Sequence, residues 1–215
     1  MEESTSREKV LKKIRNALMS KAENPFPSLD LETSVYQPME DSLDITFAQE
    51  FSKVAGKFIY CENEADLKNN LITLIAENNW KNIFCIEPGI KKLLEDAEIP
   101  YYSDEANFHD MHAGITNCEY LIARLGSIMV SSKQSSGRRL NVFPESHIVI
   151  AYSSQLVPDI KDALKKMQEK YHNNLPSLIT VITGPSRTAD IEKTLVMGAH
   201  GPKQLYLFLI DENQA

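Results

Sequence analysis

The apolar positions of this chain change rhythm along its length. From Ser6 to Met19, Val10, Leu11, Ile14 and Leu18 fall at helical spacing, and Lys9, Lys12, Lys13 and Arg15 occupy much of the other face. This predicts an amphipathic helix over 6–19 with Ser6 as its cap. From 20 to 45 the periodicity fades, and Pro25, Pro27 and Pro38 mark an extended linker. Short apolar runs then alternate with helical patterns. Residues 45–54 predict a helix and Lys57–Cys61 a short strand. A helix follows from Asn63 or Glu64 to about Asn79, with Leu67, Leu71, Leu74 and Ile75 on one face. Lys81–Ile86 predicts a buried strand of the parallel type. Pro88 and Gly89 start a helix over 90–97, and Pro100–Tyr102 predicts another short strand.

The second half keeps the alternation. The pattern predicts a helix from Gly114 to about Ala123, then strands over Ser127–Ser131 and His147–Tyr152. A helix from Val157 or Pro158 to about Tyr171 turns Ile160, Leu164 and Met167 inward. Leu178–Ile182 and Gln204–Ile210 are expected to close the sheet. Strand–helix alternation of this kind predicts an α/β protein, with right-handed crossovers and an open, mostly parallel sheet. The chain divides into 1–44, a helix with a Pro-containing linker, and 45–215, the α/β domain.

Composition narrows the function. With 42% hydrophobic and 25% charged residues, the chain has the balance of an ordinary globular protein. Its net charge of −7 argues against nucleic acid, which needs a dense basic footprint. Cys61, Cys85 and Cys118 are far apart and lack a C-x-x-C spacing, so neither disulfides nor a metal or iron–sulfur site built by this chain alone is expected. No window approaches a membrane span and no signal core stands at the N-terminus, which makes the cytoplasm the expected compartment.

Three polar clusters fall at predicted strand ends, where α/β proteins place their sites. The first is Arg124-Leu125-Gly126-Ser127, which also suits a plain helix-to-strand turn. The second is Ser135-Ser136-Gly137-Arg138-Arg139, where small flexible residues precede paired guanidinium groups suited to a carboxylate or phosphate. The third runs from Gly184 to Pro202. Ser186 or Thr188 caps a short predicted helix through Ala189 to about Leu195, whose start attracts an anion beside Arg187. Asp190 either orients Arg187, holds a substrate hydroxyl or sits favourably in that first turn. His200, between Gly198 and Gly201, is the nearby group suited to proton transfer near neutrality. His200 and Asp190 are therefore the candidate catalytic residues. Gly126, Ser127, Arg138, Gly184, Ser186, Arg187, Thr188, Asp190 and His200 are the candidate ligand-binding residues. No nucleophile elbow, phosphate loop or dinucleotide fingerprint is present.

Gly184-Pro185-Ser186-Arg187-Thr188-Ala189-Asp190-Ile191-Glu192 followed by Gly198-Ala199-His200-Gly201-Pro202 resembles the C-terminal signature of the LUD-domain family, more narrowly its lactate utilization protein C branch. Gly114-Ile115-Thr116, Arg138 ahead of Pro144, and His147-Ile148-Val149 fall in the family's order, and the resemblance covers roughly residues 45–211. It implies a Rossmann-like open sheet with helices on both faces, similar to the sugar-phosphate isomerase and CoA-transferase superfamily. It also implies a role in oxidising L-lactate to pyruvate, with a small hydroxy- or keto-acid as ligand. Iron–sulfur clusters are then expected on partner subunits, and this chain would bind no cofactor alone. A stand-alone binder or enzyme for a phosphorylated or CoA-linked anion, and a non-catalytic assembly subunit, are the alternatives. At the middle turn the resemblance departs: relatives often read Ala-Glu-Thr-Gly-Thr, whereas this chain has Ala123-Arg124-Leu125-Gly126-Ser127.

Overall fold

The computed structural model describes residues 5–19, 28, 36, 38–104, 110–172, 174–191 and 194–212. The chain forms two units, Met1–Pro38 and Met39–Ala215. The first contains helix α1 (Ser6–Met19), which has no buried residue. Its start is a reciprocal cap made by Thr5 rather than Ser6. Thr5 Oγ1 accepts from the Glu8 N–H at 3.3 Å, and Glu8 Oε2 accepts from the Thr5 N–H at 2.8 Å. Most of the expected linker lies outside the described residues.

The second unit is built on a five-stranded sheet formed by β1 (Lys57–Cys61), β2 (Ile83–Cys85), β3 (Ala113–Thr116), β6 (Ser146–Tyr152) and β11 (Gln204–Ile210), in the order β1-β11-β6-β3-β2. Every pairing in it is parallel. Helices α3 (Glu64–Glu77) and α4 (Pro88–Asp96) cover one face. There Leu67, Leu71, Ile90, Leu93 and Leu94 pack on Ile83, Ile115, Ile148 and Phe208. Asn63 caps α3 by accepting the Asp66 N–H at 3.0 Å, and Pro88 opens α4, where a missing N–H is no loss.

The other face is covered by α2 (Leu43–Lys53) and by a four-stranded sheet. Phe47 and Phe51 of α2 stack at 5.3 Å and are fully buried against Val149, Leu207 and Leu209. Burial of each phenylalanine is worth about 1.5–3 kcal/mol. The second sheet runs β7-β4-β5-β8, from Leu156–Val157, Tyr120–Ile122, Ser127–Ser131 and Ile179–Ile182. Its far side packs through Ile122, Met129 and Val157 on Ala163 and Met167 of α5 (Ile160–Tyr171). The α/β class, with a mostly parallel central sheet and helices on both faces, is thus as expected. Among the described residues no helix is long and apolar enough to cross a membrane.

Several local expectations are overturned. No helix runs from Gly114 to Ala123: the segment forms β3, β4 and a 3-10 turn over Ala123–Leu125. All four residues of β3 are buried, as in strands covered on both faces. A Cβ on Gly114 would lie 2.9 Å from both Leu140 and Pro144, so only glycine lets the chain after β5 cover this strand. Leu178–Ile182 does not close the parallel sheet but pairs antiparallel with β5. Pro100–Tyr102 contributes a single bridge, Tyr102 to Phe84. On α5 the buried residues are Ala163 and Met167, whereas Ile160 and Leu164 are exposed.

Candidate functional site

The expected helix over 189–195 is absent. Residues Arg187–Ile191 form β9 and Thr194–Met197 form β10, an antiparallel pair in which Met197 faces Arg187 and Val196 faces Thr188. There is therefore no helix start at Ser186 or Thr188 to attract an anion. Asp190 lies on the backbone of β9, and its side chain lies outside the described residues. His200 is exposed in the turn between β10 and β11.

The structure gives the start of this segment a packing role at the C-terminal end of α2. Gly184 adopts φ +82°, and a Cβ there would lie 2.3 Å from the Val54 carbonyl oxygen at the end of α2. The Arg187 guanidinium donates to the same carbonyl, which places a cation at a helix C-terminus where the dipole favours it. The Ser186 N–H donates to the Pro202 carbonyl at 2.8 Å, and the Gly198 N–H to the Ser186 carbonyl at 3.0 Å. Gly126 completes the grip: at φ +54° its missing Cβ would stand 2.2 Å from the Phe51 nitrogen. Ser127 Oγ meets Thr183 Oγ1 at 2.8 Å and donates to the Leu125 carbonyl at 3.2 Å. Gly126, Ser127, Gly184, Ser186 and Arg187 are thus brought together by contacts within the protein. The turn that carries His200 stands where β6 and β11 begin, since Gln204 pairs with Ser146.

Arg138 sits elsewhere. Its Nη2 donates to Ser177 Oγ at 2.8 Å, not to any member of the Gly184–Pro202 segment. The loop that carries it is pinned where the parallel strands end. The Ser136 N–H donates to Oε1 of Glu87, just after β2, at 2.9 Å, and Gln134 Nε2 donates to Oδ1 of Asn117, just after β3, at 2.5 Å. A hollow of 210 Å³ opens there, walled by Phe84, Ile86, Ser103 and Ser135–Arg139. A larger cleft of 340 Å³ lies on the α4 side, with Gly89, Lys92, Asn117 and Tyr152 among its walls. The carboxyl ends of parallel strands are where open α/β sheets bind ligands. Glu87 and Ser103 were not among the sequence candidates. The signal for Glu87 was its place between a strand and the Pro88-Gly89 helix start.

The titratable groups nearby are shifted by burial. His147 is fully buried at the start of β6. Its Nε2 bonds Thr116 Oγ1 at 2.8 Å, Nδ1 is unpartnered, and desolvation lowers its pKa to about 4. Cys61, Cys85 and Cys118 are buried on separate elements. Burial raises Cys61 to about 11 and Cys85 to about 12, and pushes Cys118 up as well. Among the described residues no group of three or more His, Cys, Asp or Glu is placed to hold a metal ion.

The LUD domain profile matches residues 46–210, from within α2 to the end of β11. This chain belongs to the LUD domain family. Its relatives place it in the lactate utilization protein C branch. It is 33% identical over 184 residues to lactate utilization protein C of Macrococcus caseolyticus, covering 85% of this chain and 74% of that protein. With the protein of the same name from a Geobacillus strain it shares 35% over 149 residues, 65% of this chain and 57% of the relative. An uncharacterised protein of Neisseria meningitidis is 30% identical over 145 residues, covering 67% of this chain and 61% of the relative. The chain thus spans about half the length of several of the curated relatives it matches, as little as 43% of lactate utilization protein C 1 from Bacillus mycoides. A DUF162 family protein of Deinococcus radiodurans has the same fold, with a TM-score of 0.58 at 16% identity over 78% of this chain and 96% of its own.

In this LUD domain the middle turn carries an ion pair. Arg124 Nε donates to Asp159 Oδ1 at 2.6 Å, with both side chains largely buried. The cation at this turn is answered by a carboxylate just before α5.

Proposed function

We propose that this LUD-domain chain is a component of a multi-subunit system that oxidises L-lactate to pyruvate, acting beside iron–sulfur partner subunits. The observation that carries this reading is the similarity to a lactate utilization protein C over 184 residues and 85% of the chain. The chain's own donor set agrees with a division of labour. Its three cysteines stand in β1, in β2 and just after β3, each buried, so they offer no shared set of cluster ligands. Electron transfer from the hydroxy-acid would then run through groups on the partners, while this subunit binds or orients the small acid or the partner. Deleting the gene in a host without a paralogue and measuring growth on L-lactate as carbon source tests the role. Growth is expected to fail on lactate, to persist on glucose and to return with the wild-type gene. Undiminished growth of the deletion strain on lactate would overturn it.

A further inference from the structure

The loop after β5 leaves two buried polar atoms without hydrogen-bond partners. Ser136 is 5% exposed and its Oγ is unpartnered; Asn141 is 9% exposed and so is its Oδ1. An unpaired buried polar group is costly, and a ligand that supplies the missing partner relieves that cost. Both belong to the walls of hollows that share Gly137 and Arg138. Ser136 lines the 210 Å³ hollow, and Asn141 lines a 60 Å³ pit beside it. Arg138 lines both hollows. Ser177 takes one of its five donors and steadies it, and Ser177 is itself held by Ser132 Oγ at 3.1 Å. Arg139 belongs to the same wall.

From this geometry we infer that the hollow walled by Ser135–Arg139 binds the carboxylate of a short 2-hydroxy or 2-oxo acid, with Arg138 as its anchor and Ser136 Oγ as donor to the acid's oxygens. This rests on the lactate-utilization reading for the kind of acid, and on the structure for the place. A guanidinium fork matches a carboxylate, and a buried hydroxyl beside it supplies the donor that an acid oxygen needs. The hollow's size selects a ligand of few atoms, well below the 300–1,000 Å³ typical of cofactor and drug sites. Phe84 and Ile86 form its apolar floor and suit a methyl-sized substituent. Glu87, whose carboxylate holds the Ser136 N–H, is the neighbouring anion. It acts as a positioning residue that sets the loop.

The test is calorimetric titration of the full chain with L-lactate, pyruvate and inorganic phosphate, repeated on Arg138→Ala, Arg138→Lys and Ser136→Ala. Melting temperatures establish that each variant is folded. Pyruvate or L-lactate is expected to bind one site per chain. Arg138→Ala should weaken binding by at least about tenfold, Arg138→Lys should restore part of it, and Ser136→Ala should weaken it about threefold. Equal binding by Arg138→Ala overturns the assignment. Tighter binding of phosphate than of either acid overturns the ligand class, and so does no binding of either acid at about 10 mM. The two proposals fail separately. If Arg138→Ala restores growth on lactate as well as the wild type does, the hollow is wrong and the role stands. If the deletion strain grows normally on lactate while pyruvate binds at Arg138, the hollow stands without the role.

Discussion

Replacing Gly126 by alanine tests the claim that the middle turn serves to hold α2. Two separate penalties arise at this position. The left-handed φ of +54° costs an L-residue about 1–2 kcal/mol. The new methyl would also stand 2.2 Å from the Phe51 nitrogen and 2.7 Å from its Cα, so α2 must move away from the turn. Phe47 and Phe51 are both 0% exposed on that helix, and overpacking of this kind costs about a further 1–3 kcal/mol. The sum, roughly 2–5 kcal/mol, is a large share of the 5–15 kcal/mol that stabilises a typical domain. Gly137 isolates the first penalty, because it has φ +62° but nothing within 4 Å of its Cβ. Urea unfolding followed by the fluorescence of Trp80, which packs edge-on against Tyr206 at 5.6 Å, gives both values. Gly126→Ala should lose at least about 1 kcal/mol more than Gly137→Ala. Equal losses would show that the Gly126–α2 contact carries no packing energy.

Other expectations follow from the same structure. Arg124→Ala and Asp159→Ala should each destabilise, and a double-mutant cycle should show a coupling of about 0.5–2 kcal/mol; additivity would mean that the 2.6 Å pair is idle. The buried His147 is neutral in the folded chain, its pKa lowered from 6.5 to about 4, so the unfolded state binds the extra proton between those values. Stability should therefore be fully present above pH 6.5 and fall by up to roughly 3 kcal/mol as pH drops toward 4, with a shallower slope in His147→Gln. A thiol reagent at pH 8 should modify Cys61, Cys85 and Cys118 only once the chain unfolds, because all three are buried with raised pKa values. Fast labelling of the native protein would contradict that burial.

Strong periodicity carried the fold a long way. Leu67 and Leu71 on α3, and the runs at Lys57–Cys61 and Gln204–Ile210, are local patterns that tertiary packing only confirms. Ala113–Thr116 failed because a short apolar run has no period of its own. What makes it a strand is burial under Leu140 and Pro144, which are distant in sequence. The antiparallel pair β9–β10 was missed because Ser, Thr and Asp favour helix starts and turns alike. The second sheet was invisible for a related reason. Period-2 runs such as Ile179–Ile182 do not encode which neighbour they pair with, and β8 finds β5 rather than the parallel sheet. At the site, the salience of the Gly184–Pro202 signature came from glycines that pack inside the protein, Gly184 against the end of α2, Gly198 against Lys203 and Gly201 against Ser186, and such glycines look the same in sequence as those that admit a ligand. Arg138 was legible as chemistry. Its setting was not, because Glu87, Asn117 and Ser177 reach the loop across 49, 17 and 39 residues of chain.

The central claim separates the two clusters: ligand chemistry at Ser135–Arg139, packing at Gly184–Pro202. Amide chemical shifts of the full chain, recorded during titration with pyruvate, test it most directly. Shifts should concentrate on Ile86, Ser103 and Ser135–Arg139, where the parallel strands end, and should leave Ser186 and Gly198–Gly201 in place. Saturable shifts centred on Ser186 to Gly201, with Ser135–Arg139 unmoved, would contradict it.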